Sequence, residues 1–171
     1  PVVRGLLGQL LAATALLGGN LKAEGQVIVE LRGAGPLRLL VADSRAGSTL
    51  RALARWDEPL HGSDFQELVG AGRLVITLDA RGDGRRYQGI VELAPGGLAE
   101  TLEGYFATSE QLPGCILLAA DDTRAAGLLL QRLPGSNAPA DALRWEHLAT
   151  LAATTRPQEL LHLEPAQLLG R

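Results

Sequence analysis

The chain has 171 residues, enough for one domain with its own core; 46% are hydrophobic and 4% aromatic, so that core must come from Leu, Val, Ile and Ala. Sixteen cations against nineteen acids give a net charge of −3 with the signs interspersed, which leaves no basic stripe for a phosphate backbone and disfavours nucleic acid as a partner. A single cysteine, Cys115, excludes an intrachain disulfide and a cysteine-rich zinc site.

The chain opens on Pro1-Val2-Val3 and contains no methionine, so it is expected to be an incomplete gene product. RGLLGQLLAATALLGG (4–19) imitates a signal peptide, yet it is too short for a membrane span of about 20 apolar residues. Leu7, Leu10, Leu11, Thr14, Leu17 and Leu21 recur at three- and four-residue steps, which predicts a buried helix with Gly18-Gly19-Asn20 as its stop. No membrane partner is expected.

The period then changes from 3.6 to 2. QVIVELRG (26–33), LRLLVADS (37–44) and TLRALARWDE (49–58) read as three strands joined by short turns. FQELVG follows as a short helical turn. GRLVITLDA (72–80) and RRYQGIVEL (85–93) form a hairpin across Arg81-Gly82-Asp83-Gly84. The next helix is predicted over 96–113, with Leu98, Leu102, Tyr105 and Phe106 inward. CILLAA and AAGLLLQRLP look like a last strand pair, and from Asp141 the pattern is helical again.

This order predicts an α+β fold with one antiparallel main sheet covered on one face by helices, followed by C-terminal helices. A core domain is expected over 1–134 and a helical extension over 141–171, separated by GSNAPAD. Val27, Val29, Leu31, Leu37, Leu39, Val41, Leu74, Ile76 and Leu78 are assigned to the covered face. The alternate positions mix charge with Ile28, Leu40, Leu53, Val75 and Ile90. Such a face suits a surface that is sometimes covered, and ordinary β-propensity on an exposed sheet explains it equally well.

Chemistry is hard to find. Gly33-x-Gly35, Gly70-x-Gly72 and Gly82-x-Gly84 each lack the third glycine of a dinucleotide loop, and neither a P-loop nor a Gly-x-Ser-x-Gly elbow is present. His61, His147 and His162 lack ligand spacing. YFATSEQLP (105–113) offers Ser, Glu and Gln together, either as chemistry or as a polar helix end before a proline stop. A hydrolase built on Ser109 has no placed base and no visible oxyanion loop. The chain is therefore expected not to be an enzyme and to hold no cofactor.

NLKAEGQVIVELRGAGPLRLLVA (20–42), RLVITLDARGDGRRYQGIVEL (73–93), LAETLEGYFATSEQLP (98–113) and AAGLLLQRLP (125–134) follow one another with a characteristic order and spacing. In these segments the chain resembles the N-terminal domain of the 33 kDa chaperonins, bacterial redox-regulated heat-shock holdases. The resemblance implies a cytoplasmic, ATP-independent chaperone that captures unfolded or misfolded client proteins, commonly as a homodimer with exchange of elements. It also implies zinc in the full-length protein, held by C-terminal C-x-C and C-x-x-C cysteines that Cys115 does not match. Oxidation would release the metal and free the client-binding surface.

On that resemblance the client surface is expected at Ile28, Leu40, Leu53, Val75 and Ile90. Tyr87, Gln88 and Gly89, with Ser109, Glu110, Gln111, Leu112 and Pro113, are expected to be architecture. The alternative is a non-catalytic scaffold that docks one specific partner through its sheet face.

Overall fold

The computed structural model describes residues 1–19, 25–45, 49–62, 64–80, 85–109, 111–132 and 139–170; at 80, 85, 139 and 140 only the backbone is described. The turn expected at 81–84, Leu21, Glu110 and most of the stretch 135–141 lie outside these residues.

Helix α1 (Val2–Gly19) is rich in Leu and Ala, which lose little side-chain freedom in a helix. By length and composition it could cross a membrane. Here Leu10, Ala13 and Thr14 are fully buried within the protein, and Thr14 returns its hydroxyl to the Leu10 carbonyl at 2.7 Å.

Five strands follow around a short helix: β1 (Gln26–Gly33), β2 (Leu37–Arg45), β3 (Thr49–Trp56), α2 (Phe65–Val69), β4 (Gly72–Ala80) and β5 (Arg85–Glu92). They pair antiparallel in the order β3-β2-β1-β4-β5. Helix α3 (Leu98–Thr108) comes next. Side chains of its first turn hold the chain that leads into it: the Glu100 carboxylate accepts from the Gly96 N–H at 2.6 Å, and the Thr101 hydroxyl accepts from the Ala94 N–H at 2.9 Å.

The last strands, β6 (Gly114–Ala120) and β7 (Ala125–Gln131), form a separate two-stranded sheet rather than joining the main one. They are held away from it by α1 and α3. Ile116 and Leu118 belong to the cluster around those helices, whereas Leu117 and Ala119 pack with Leu160 and Leu161 on the opposite face. Both faces of this small sheet are therefore used, which explains its unbroken apolar sequence. Helices α4 (Pro139–Ala153), α5 (Pro157–His162) and α6 (Pro165–Leu169) complete the chain.

The α+β class is observed, and the five-stranded sheet is covered on one face. Val27, Val29, Leu31, Leu74 and Ile76 are fully buried beneath the helices, each contributing about 1.5–3 kcal/mol of burial.

One strand departs from expectation. A register shift between Leu37 and Leu39 places Leu37, Leu40 and Ala42 on the helix side, all with no exposed surface. Leu39 and Val41, expected under the helices, point to the other face, and Leu40 is not on it. The extra residue of a bulge reverses every side chain beyond it.

Candidate functional site

The uncovered face of the main sheet can be read row by row, because residues opposite one another in a ladder share a side. Leu53, Val41, Glu30, Val75 and Ile90 form one row from β3 to β5. Arg51, Asp43, Ile28, Thr77 and Gln88 form the next. Gln88 donates to the Thr77 hydroxyl at 3.2 Å. On the other side of the apolar row stand Arg55, Leu39, Arg32, Arg73 and Glu92.

Leu53 is 46% and Ile90 59% exposed, whereas Val75 is shielded by its neighbours to 6%. Ile28, Leu39 and Val41 are half-buried. None of these six belongs to the main core, and α1 and α3 pack on the opposite side. Four of the five expected surface residues thus share a face, with Leu40 replaced by Leu39 and Val41. Period-2 counting from Leu37 missed those two, because the bulge leaves no mark in the pattern.

The YFATSEQLP segment is a corner. Tyr105 and Phe106 are buried with their rings 5.7 Å apart. Ser109 caps α3, its N–H donating to the Tyr105 carbonyl at 2.9 Å, and Gln111 adopts a left-handed φ of 54°. The Leu112 N–H reaches back to the Phe106 carbonyl, and the Pro113 carbonyl accepts from Arg132, which docks the corner on the strand pair. Across the core, Gly89 lies under the Tyr105 ring, while Tyr87 is 47% exposed.

The thiol of Cys115 is half-buried, and burial pushes its pKa above the ordinary value; the nearby Glu103 charge and its hydrogen bond push in the same direction. Asp121 is held below the ordinary carboxylate range by the N–H groups of Thr123 and Arg124, both at 2.7 Å, as befits a turn. Among the described residues no three His, Cys, Asp or Glu side chains come together to hold a metal ion. With one cysteine, this chain does not fit a thiolate zinc site.

A second apolar feature is a groove of about 200 Å³ lined by Leu128, Leu130, Leu148, Leu151, Leu168 and Leu169, with Thr155 and Glu159 among its polar residues. Leu148, Leu151 and Leu169 are each about half or more exposed.

Residues 1–171 match the family described as Hsp33 protein. The chain is 47% identical to the 33 kDa chaperonin of Azotobacter vinelandii, over 97% of this chain and 57% of that protein. It is 42% identical to the 33 kDa chaperonin of Methylobacillus flagellatus, over 99% of this chain and 58% of that one. The crystal structure of the 33 kDa chaperonin (heat shock protein 33 homolog) of Thermotoga maritima superposes with a TM-score of 0.78 at 25% identity, covering 96% of this chain and 60% of that one. The chain thus spans a little under three-fifths of the length of the curated relatives.

Proposed function

The chain belongs to the Hsp33 family, and from that premise we propose that it is the client-holding part of an ATP-independent chaperone that binds unfolding proteins and limits their aggregation. The uncovered sheet face is the holding surface in this proposal. What supports it most is the pairing of Leu53 and Ile90, both strongly exposed, with half-buried Ile28, Leu39 and Val41 on one face outside the core. Apolar surface of this kind binds extended chains without reading a particular sequence.

The proposed setting is the cytoplasm, and the proposed assembly is a homodimer that exchanges elements between protomers. The exposed leucines of α4 and α6 support such an assembly. Redox control is proposed for the longer protein, through zinc-binding cysteines outside these 171 residues. No catalytic step is assigned.

Light scattering from a thermally unfolding enzyme of unrelated fold tests this function. The wild-type chain should suppress the signal at near-stoichiometric ratios. Leu53→Asp combined with Ile90→Asp should require about tenfold more chaperone, as expected for losing two apolar contacts worth somewhat over 1 kcal/mol together. Circular dichroism should be unchanged, because both side chains are exposed. A folded wild-type chain that fails to suppress scattering would overturn the proposal.

A further inference from the structure

The row beside the apolar row carries charge in an unusual way. Arg55, Arg32 and Arg73 stand in one cross-strand line, with Leu39 between the first two and Glu92 at the end. Arg32 and Arg73 are directly opposite one another, an arrangement of like charges that weakens a strand pair. Arg32 is relieved by Glu30 at 3.3 Å. Arg55 and Arg73 have no ion-pair partner among the described residues.

The opposite end of the same face differs. There Arg51 and Arg45 share Asp43, at 2.9 and 3.8 Å, and Arg86 meets Asp79 at 3.6 Å. One side of the Leu53–Ile90 row is therefore flanked by paired charge and the other side by a cationic line roughly 14 Å long, from a strand spacing of about 4.8 Å.

We propose that this arginine line selects clients: the face holds extended apolar segments that carry carboxylates about two residues from the apolar contact. The spacing follows from the sheet itself, since adjacent rows on one face lie about 7 Å apart, two residues of an extended chain. Arg55 and Arg73, without an ion-pair partner among the described residues, can pair with an incoming carboxylate, and guanidinium groups bind carboxylates in a bidentate fashion. The proposal rests on the holding function of this face and adds the chemistry of what is held.

The test is fluorescence anisotropy with three labelled twelve-residue peptides that share an alternating apolar centre and end in three glutamates, three glutamines or three lysines. At low salt the glutamate peptide should bind about tenfold more tightly than the glutamine peptide, and the lysine peptide most weakly. The preference should fall several-fold in 0.5 M salt, where exposed charges are screened within about 5 Å.

Arg55→Glu combined with Arg73→Glu should invert the order in favour of the lysine peptide. Arg144→Gln, on α4, should leave the order as in wild type. Equal binding of all three peptides, abolished by Leu53→Asp with Ile90→Asp, would overturn the charge selection and leave the holding face standing. Binding of none would overturn both. Dissociation of a dimer by the double charge reversal in sedimentation, with the peptide order unchanged, would assign the arginine line to a second copy of this chain and overturn the proposal. A glutamate preference that survives the double reversal would overturn it as well.

Discussion

Gly89 sits opposite Ile76 on the helix side of β5, where the Tyr105 ring closes over the strand. A Cβ at 89 would overlap the ring edge at Cε2 and stand 3.3 Å from Cδ2 and Cζ. Tyr105 cannot swing away, because it is almost fully buried and packs against Phe106. The glycine in RYQGIV and the aromatic pair that opens YFATSEQLP are thus two halves of one contact. Gly89→Ala should cost about 1–3 kcal/mol by overpacking. Urea denaturation would show it as a lower midpoint at unchanged slope. A loss under about 0.5 kcal/mol, the range of ordinary surface substitutions, would mean the ring has room to move. The corner at 109–113 works the same way: Ser109 and Gln111 place backbone, and their side chains are exposed to solvent.

The elements themselves were largely legible. β1 alternates cleanly and buries the expected side; in β4 Leu74 and Ile76 are buried as expected, but Val75 and Thr77 on the other face are buried too and Leu78 is only half-buried. α3 is shorter than its apolar pattern suggested: Ser109 is its last residue in helical geometry, and Gln111 at positive φ and Pro113 then turn the chain away. β2 failed for a different reason: the bulge after Leu37 depends on how β2 meets β3, which no window within β2 records. The separate β6–β7 sheet was also illegible, since its isolation comes from α1 lying between elements far apart in sequence. The arginine line shares this cause, because Arg32 and Arg73 become neighbours only through the β1–β4 pairing. A paired substitution tests the bulge. Leu40→Lys should cost about 3–5 kcal/mol by placing an unpaired charge in the core. Leu39→Lys should cost less, about 1–2 kcal/mol, because it lies outside the core and the added charge is opposed only by Arg32 and Arg55 across the ladder. Thermal melts that shift equally for both would contradict the register.

At the scale of the molecule, one face of the sheet is committed to the core while the other lies outside it, and the single cysteine is on neither face. Cys115 lies on β6, in the other sheet, and its raised pKa keeps the thiolate scarce at neutral pH. Neither oxidation nor metal release at that position has a direct route to the rows around Leu53 and Ile90. If the sheet face holds clients, suppression of aggregation by this chain should therefore be the same in dithiothreitol and in hydrogen peroxide. Alkylation of Cys115 by iodoacetamide at pH 8 should run more slowly than that of a free cysteine, because the thiolate is the reacting species and is disfavoured here. The decisive comparison is wild type against Cys115→Ser in both redox conditions. Equal suppression in all four samples would leave the holding surface intact without a redox element in these residues. A gain in peroxide that disappears in Cys115→Ser would make the thiol a sensor, acting through a disulfide between chains, since no second cysteine exists within one.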